Sequence, residues 1–276
     1  MHITVQTIED FFEEWAPSST AASWDNVGLQ LGDPLQAVNR VLLSLDVDQR
    51  VLNANQSHPY DLVITHHPLF FNSIKMLHSQ YGVGKIVSSL IQTGTAVWSA
   101  HTNLDVATGG VNDQLIQLYD FDPVEATVVD EYVKVFHNHS KRSLRQLSQV
   151  LPVQNAFDAS YVPKTIGFCA GSGKSFISSL FKQSIDCFIT GELGYHEEVA
   201  CQLDNKSYFM LGHAESEVMI LSEIKETYQE RDKDPIGRRV SNRGGWQSSL
   251  TNIRNCKSET LNDIIVSSVS KLPILK

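Results

Sequence analysis

Cysteine is scarce in this 276-residue chain, and its few thiols are scattered. The four cysteines are Cys169, Cys187, Cys201 and Cys256, and no two of them have C-x-x-C spacing. This pattern argues against a disulfide framework and is typical of reduced thiols in a protein core.

Long apolar runs are missing as well. No run approaches the roughly 18 apolar residues that a membrane span requires. The first four residues, MHIT, do not form a basic region followed by an apolar stretch. We therefore expect a soluble, cytoplasmic protein with no membrane partner.

Basic residues are outnumbered, with 22 Lys and Arg against 31 Asp and Glu and a net charge of -9. Because affinity for phosphate backbones comes mainly from Lys and Arg, this balance argues against nucleic acid as a general partner. The deficit is uneven, since residues 237–276 hold seven Lys or Arg and only two Asp or Glu. We expect an atypical basic tail there, with residues 237–247 crossing the surface and a short amphipathic helix over residues 261–269.

Apolar segments of strand length alternate with helical patterns along most of the chain. Strands are predicted at residues 38–47, 61–65, 96–100, 132–136, 165–170, 186–190 and 208–211, and a helix is predicted at 215–229. Such alternation indicates an α/β fold with parallel or mixed sheets.

The strand-helix pattern starts again after Asp122 and Pro123, which favours two interlinked α/β domains with mixed sheets. We place the first domain at residues 1–123, with 212–236 returning to it, and the second at 124–211. Residues 237–276 are the tail. A site built from both halves would lie at the domain interface.

Imidazole and carboxylate side chains recur where three predicted strands end. The six residues are His66, His67, His101, Asp105, His213 and Glu217. Open α/β sheets bind ligands at the carboxyl ends of their strands. A structural zinc site takes four ligands and a catalytic one usually three plus water, so six such groups without a thiolate favour two ions. The leading hypothesis is a two-metal hydrolytic centre.

Spacing within these groups sharpens the hypothesis. Neighbours on a strand point to opposite faces, so His66 and His67 could serve two ions lying side by side. If a helix begins near Ala214, His213 and Glu217 lie on one of its faces, one turn apart. Glu217 or Asp105 has the oxygens to bridge two ions. Taken singly, a histidine at a strand end is more often a hydrogen-bonded structural residue, and it is the recurrence of three such groups that favours metal binding.

Two loops have weaker signals. The stretch AGSGKS at residues 170–175 resembles the end of a P-loop, but that motif needs a glycine where Phe168 stands, which argues against an ATPase. The loop could hold an anion at a helix N-terminus or be only a tight turn, and both readings stay open. The stretch WDNVGL at residues 24–29 has no chemistry assigned to it.

Several of these motifs occur together in a fixed order. They are WDNVGLQLG (24–32), VITHHPLF (63–70), HTNLD (101–105), GSG (171–173), ITGE (189–192) with His196, and GHAESE (212–217). Over about residues 3–236 the series resembles the NIF-three-like family, whose members are called GTP cyclohydrolase I type 2 homologues and dinuclear-metal-centre hexameric proteins.

The resemblance implies a ligand set, a cofactor and an assembly. Two divalent ions (zinc, iron, manganese or nickel) would be held by His66, His67, Asp105, His213 and Glu217, with Glu217 shared. His101 would lie beside them, and we assign it the catalytic role. The family also implies a homohexamer and a hydrolase acting on a nucleotide or phosphoester. The alternative is a non-catalytic metal-binding assembly or interaction protein.

Overall fold

The computed structural model describes residues 3–233 and the strand at Ile264–Val266, and this part of the chain forms ten strands and nine α-helices. The strands are β1 (Gly28–Leu31), β2 (Val41–Ser44), β3 (Leu62–Thr65), β4 (Ala96–Ser99), β5 (Thr127–Val129), β6 (Val133–His137), β7 (Thr165–Ser172), β8 (Cys187–Glu192), β9 (Ser207–Met210) and β10 (Ile264–Val266). The helices are α1 (Val5–Trp15), α2 (Gln49–Ser57), α3 (Gly82–Thr93), α4 (Thr102–Val106), α5 (Val111–Leu118), α6 (Leu144–Leu147), α7 (Ile177–Lys182), α8 (Tyr195–Leu203) and α9 (Ile220–Lys233).

The strands form two mixed sheets, as expected for this α/β fold. The first has the order β1-β4-β3-β2-β10, with β1 antiparallel and the others parallel. The second has the order β5-β6-β7-β8-β9, with parallel pairing from β7 to β9. Every residue of β2, β3 and β4 is buried, because helices and loops cover both faces of these parallel strands.

The two sheets share a continuous apolar interior. Helix α9 returns to the first sheet, where Ile220, Leu221 and Ile224 join its core. Ala170 and Val218 pack against the cores of both sheets. The domain boundaries near residues 123 and 211 stay a prediction.

Local signals explain where several elements begin and end. A capping box between Thr4 and Thr7 starts α1, and the Asp48 carboxylate accepts the N–H groups of Arg50 and Val51 to start α2. Helix α3 ends at Gly94, which takes the left-handed conformation that glycine adopts without strain. No helix within residues 3–233 has the length and hydrophobicity needed to cross a bilayer.

One predicted helix begins later than expected, and another is wrong. The helix predicted at 215–229 is present as α9 but begins at Ile220, because a 3-10 turn at Ala214–Ser216 precedes it. The helix predicted over 261–269 is replaced by β10, which pairs with β2 in parallel. Its β-branched sequence Ile-Ile-Val favours a strand, and pairing satisfies the open edge of β2. The course predicted for residues 237–247 lies outside the described residues.

Candidate metal centre

The carboxyl ends of three parallel strands in the first sheet lie level with one another. Ser44 of β2 pairs with Thr65 of β3, which pairs with Ser99 of β4. The side chains that follow these ends meet on one side of the sheet, and they are Asp46, His66, His67 and His101. Three strand ends of the first sheet therefore deliver imidazoles and a carboxylate to one place; the histidines among them are predicted residues, and Asp46 is not.

The second sheet brings its own strand ends to the same place. Gly171 lies near the end of β7, Glu192 ends β8, and His213 follows β9. The His213 Nε2 atom lies 3.3 Å from His67 Nε2 of the first sheet. The centre is thus formed by residues at the carboxyl ends of strands from both sheets.

Glu217 is the carboxylate at the middle of the centre. It is only 4% exposed. Its Oε1 lies 3.8 Å from His66 Nε2 and 3.3 Å from His213 Nε2, and its Oε2 lies 3.1 Å from His67 Nε2. One carboxylate therefore faces three imidazole nitrogens, and its two oxygens approach different ones.

Asp105 and His101 complete the set of predicted residues. Asp105 Oδ1 lies 3.5 Å from His66 Nε2. Two overlapping groups have ligand atoms within 4.8 Å of one another, the first formed by His66, His67 and His101, and the second by His67, His213 and Glu217. All six side chains picked out in the sequence are therefore brought together.

Three of the histidines are fixed through their Nδ1 atoms. His66 Nδ1 donates to the carbonyl of Ala100 at 2.9 Å, and His67 Nδ1 donates to Asp46 at 3.0 Å. His101 Nδ1 donates to Asp25 at 2.9 Å. With a proton held at Nδ1, the neutral ring carries its lone pair at Nε2, which is the atom that a metal ion needs.

Burial and charge act differently on the individual groups. Burial lowers the pKa of His66 to about 3, so its imidazole is neutral. Burial alone would lower the pKa of His67, but the hydrogen bond to Asp46 and the carboxylate of Glu217 raise it to about 10. Burial and the nearby Glu217 raise the pKa of Asp105 well above its ordinary value. In the metal-free centre the Glu217 carboxylate stabilises a proton on His67, and a bound cation would replace that proton, so the carboxylate favours positive charge in either state.

Three buried atoms at the centre have no hydrogen-bond partner among the described residues. They are His66 Nε2, Asp105 Oδ1 and Glu217 Oε2, the last of which approaches His67 without hydrogen-bond alignment. Unpaired buried polar atoms are rare in native proteins, and a bound ion or water molecule would satisfy them. An imidazole nitrogen and two carboxylate oxygens are the donor types that zinc, iron or manganese accept, so a divalent ion fits this set.

The glycine loop after β7 packs directly against the centre. A Cβ on Gly171, whose φ is +61°, would lie 2.2 Å from Glu217 Oε1. The Gly171 N–H donates to Ser216 Oγ at 2.9 Å, and Ser216 Oγ donates to the His213 carbonyl. A 3-10 turn and the six-residue helix α7 follow the loop, so it does not feed a long helix. Close approach to Glu217 is the reason for glycine at 171.

Comparison with known proteins places the chain in a family. Residues 3–241 match the family model described as Duf34/NIF3 (NGG1p interacting factor 3). The chain belongs to the Duf34/NIF3 family.

Relatives in the Duf34/NIF3 family and similar folds span most of the chain. The GTP cyclohydrolase 1 type 2 homolog of Clostridium perfringens is 30% identical over 237 residues, covering 81% of this chain and 90% of the relative. The NIF3-like protein 1 of Drosophila melanogaster is 28% identical, covering 77% of each chain. The crystal structure of hypothetical protein SA1388 from Staphylococcus aureus aligns with a TM-score of 0.74 and 20% identity, covering 100% of both chains.

Two geometric expectations for this Duf34/NIF3 chain need correction. His66 and His67 lie beyond the end of β3, so strand alternation does not separate them, and their ring centres are 5.0 Å apart. His213 and Glu217 do not share the face of an α-helix, since a 3-10 turn lies between them. The turn still brings Glu217 Oε1 within 3.3 Å of His213 Nε2.

Two carboxylates of the centre were missed in the sequence. Asp46 follows β2 by two residues, and this position after a buried apolar strand is the signal that identifies it. Asp25 lies in the stretch WDNVGL, where Asp and Asn are common turn residues. It reaches His101 from 76 residues away and also accepts the Thr102 N–H at 3.0 Å, so local sequence carried no sign of its partner.

Proposed function

We propose that this chain is a metal-dependent hydrolase with two divalent ions held by His66, His67, Asp105, His213 and Glu217. The observation that carries the proposal is the convergence of three buried atoms that lack a hydrogen-bond partner among the described residues: His66 Nε2, Asp105 Oδ1 and Glu217 Oε2. Each unpaired buried group costs about 1–3 kcal/mol, and more when it is charged. Cations that coordinate these atoms would remove that cost.

The arrangement around Glu217 supports two ions over one. His67 and His213 lie on one side of the centre, with their Nε2 atoms 3.3 Å apart. His66 and Asp105 form a second pair, 3.5 Å apart. The Glu217 oxygens approach both pairs, which is the placement that a bridging carboxylate requires.

The chemistry divides between the ions and the side chains. Two divalent ions at such a centre lower the pKa of water and neutralise charge that develops on the substrate. Asp46 and Asp25 hold the Nδ1 protons of His67 and His101, which keeps both Nε2 atoms available. The His101 ring lies beside those of His66 and His67, and its Nε2 would accept a proton from water or return one to a leaving group.

A nucleotide or phosphoester is the substrate class we propose. Hard oxygens of a phosphate suit two adjacent divalent ions, and several relatives are named as homologues of GTP cyclohydrolase 1 type 2. We also propose that the chain forms a homohexamer, which light scattering on the purified full chain would test. A monomer at micromolar concentration would contradict the assembly and leave the metal centre unaffected.

Metal analysis followed by a hydrolysis panel tests the proposed function. The full chain would be stripped with chelator, restored separately with zinc, iron, manganese or nickel, and assayed for bound metal. Each form would then be incubated with GTP and with phosphomonoester and phosphodiester substrates. We expect about two ions per chain and turnover with at least one metal.

A matched pair of variants makes the test specific. Asp105→Asn removes a carboxylate oxygen that faces His66, and it should abolish turnover. Asp130→Asn changes an exposed aspartate with φ 51°, which asparagine tolerates, and it should have no effect. One ion per chain in excess metal would contradict the dinuclear centre. Two ions without any turnover would favour the non-catalytic metal-binding protein.

A further inference from the structure

Two aromatic side chains at the edge of the metal centre remain largely exposed. Trp24 is 62% exposed and Phe71 is 56% exposed. Their ring centres lie 5.7 Å apart, and each lies 6.1 Å from the His101 ring in an edge-to-face arrangement. The His101 ring lies 5.1 Å from that of His66. The exposed pair is therefore continuous with the imidazoles of the centre.

Polar contacts hold the two loops that carry these rings. Asn26 Nδ2 donates to the Phe70 carbonyl at 2.9 Å and to Gln30 Oε1 at 3.0 Å. The Phe70 N–H donates to the same Gln30 oxygen at 3.3 Å. Asp25, next to Trp24, accepts from His101 Nδ1. Asp25 and Phe70, which adjoin Trp24 and Phe71 in the sequence, are thus fixed, and this positions the two rings although they stay exposed.

We propose that Trp24 and Phe71 form a stacking subsite for a planar heteroaromatic ring, such as the base of a nucleotide whose phosphates reach the metal centre. This inference rests on the proposed function, since it identifies the part of the substrate that lies next to the ions. Aromatic side chains bind bases through stacking, which tolerates any base because each has a π-face.

The place of the pair at the edge of the metal centre favours a planar ring as its occupant. The pair also converges on His101, so a ring stacked there would lie against the group to which we assign proton transfer. A ligand that spans both features needs an aromatic ring at one end and metal-binding oxygens at the other.

Calorimetry on the metal-loaded full chain tests the subsite with GMP and ribose 5-phosphate, which carry the same phosphate with and without a base. We expect GMP to bind more tightly. Trp24→Leu and Phe71→Leu should each weaken GMP binding by about tenfold, within the range measured for base stacking, while ribose 5-phosphate binding and metal content stay unchanged. Trp24→Phe should restore most of the affinity. Tyr161→Leu removes another exposed aromatic ring and should change nothing.

The possible results separate this inference from the proposed function. Equal affinity for GMP and ribose 5-phosphate, or unchanged GMP affinity in Trp24→Leu with two ions bound, would overturn the subsite alone. A chain that binds no metal but still binds guanosine through Trp24 would support the subsite and refute the metal centre. A change in oligomer mass in Trp24→Leu and Phe71→Leu would assign the pair to a contact between chains and overturn the subsite.

Discussion

Gly171 and Glu217 pack so closely that a methyl group on Gly171 would lie 2.2 Å from Glu217 Oε1. The contact joins the end of a second-sheet strand to the carboxylate that faces the imidazoles of both sheets. Gly171 also has a φ of +61°, which disfavours any residue with a Cβ. The position of Glu217 therefore depends on Gly171, a residue that has no side chain to bind a metal or a substrate.

Gly171→Ala should lower metal occupancy, because the added methyl group displaces Glu217 from the imidazoles. The left-handed backbone adds a stability cost of about 1 kcal/mol or more. Gly94→Ala is the matched control, since Gly94 has a φ of +68° and nothing within 4 Å of the added Cβ. Metal analysis and thermal melting should show similar destabilisation in both variants and metal loss only in Gly171→Ala. Equal metal content would argue against the contact as a constraint on Glu217.

Glu217→Gln should lower metal occupancy far more than it lowers folding stability. The amide keeps the shape of the side chain but removes the charge that holds two cations together. Glu215→Gln, two residues earlier, serves as the control. Metal content after dialysis and melting of the metal-free proteins would be compared for both variants. Full occupancy in Glu217→Gln would mean that this carboxylate does not bridge the ions.

Asp46→Asn should weaken metal binding by about 10–100-fold, the range observed when a partner that orients a histidine ligand is lost. An amide at position 46 no longer holds the Nδ1 proton of His67 with a full charge. Asp48→Asn is a close control, because Asp48 caps α2 and asparagine caps helices equally well. Competition with a metal-binding dye would measure both affinities. If the two variants bind metal with similar affinity, Asp46 does not contribute to metal binding.

The general position of the centre could be predicted from sequence because it depends on short-range patterns. Apolar runs predicted β3, β4 and β9, and each run is followed within a few residues by a histidine. Since parallel strands end at one edge of a sheet, His66 and His101 could be grouped from the sequence alone. His213 follows a strand of the other sheet, so only its residue type and its place after a strand linked it to them. Elements with weaker periodicity, including β1 and β5, were not predicted.

Features that depend on distant contacts could not be predicted in the same way. Asp25 reaches His101 across 76 residues, and only the folded chain brings them together. The apolar spacing around Ile264 suggested a helix, yet the open edge of β2 selects a strand there. Tertiary pairing overrides local periodicity in such short segments. Gly171 was open to two readings because nothing local shows that Glu217 lies against it.

Strand β10 provides the last test, since it connects the basic tail to the sheet that carries Asp46. Residues 264–266 pair with Val41, Leu42 and Leu43 of β2. The carboxyl end of β2 is held independently by β3, through the pairing of Ser44 with Thr65. Removing the tail should therefore leave the strand end in place and expose one edge of the sheet.

Truncation after Ile236 should preserve metal content while promoting self-association. An uncovered edge strand presents unpaired N–H and C=O groups that can pair with another chain. The truncated and full chains would be compared by metal analysis, circular dichroism and light scattering across a range of concentrations. A chain with both Ile264→Pro and Ile265→Pro loses two successive N–H groups of β10, one of which faces β2, and it should behave like the truncated one. Loss of metal or of folded structure on truncation would show instead that the tail is an integral part of the domain.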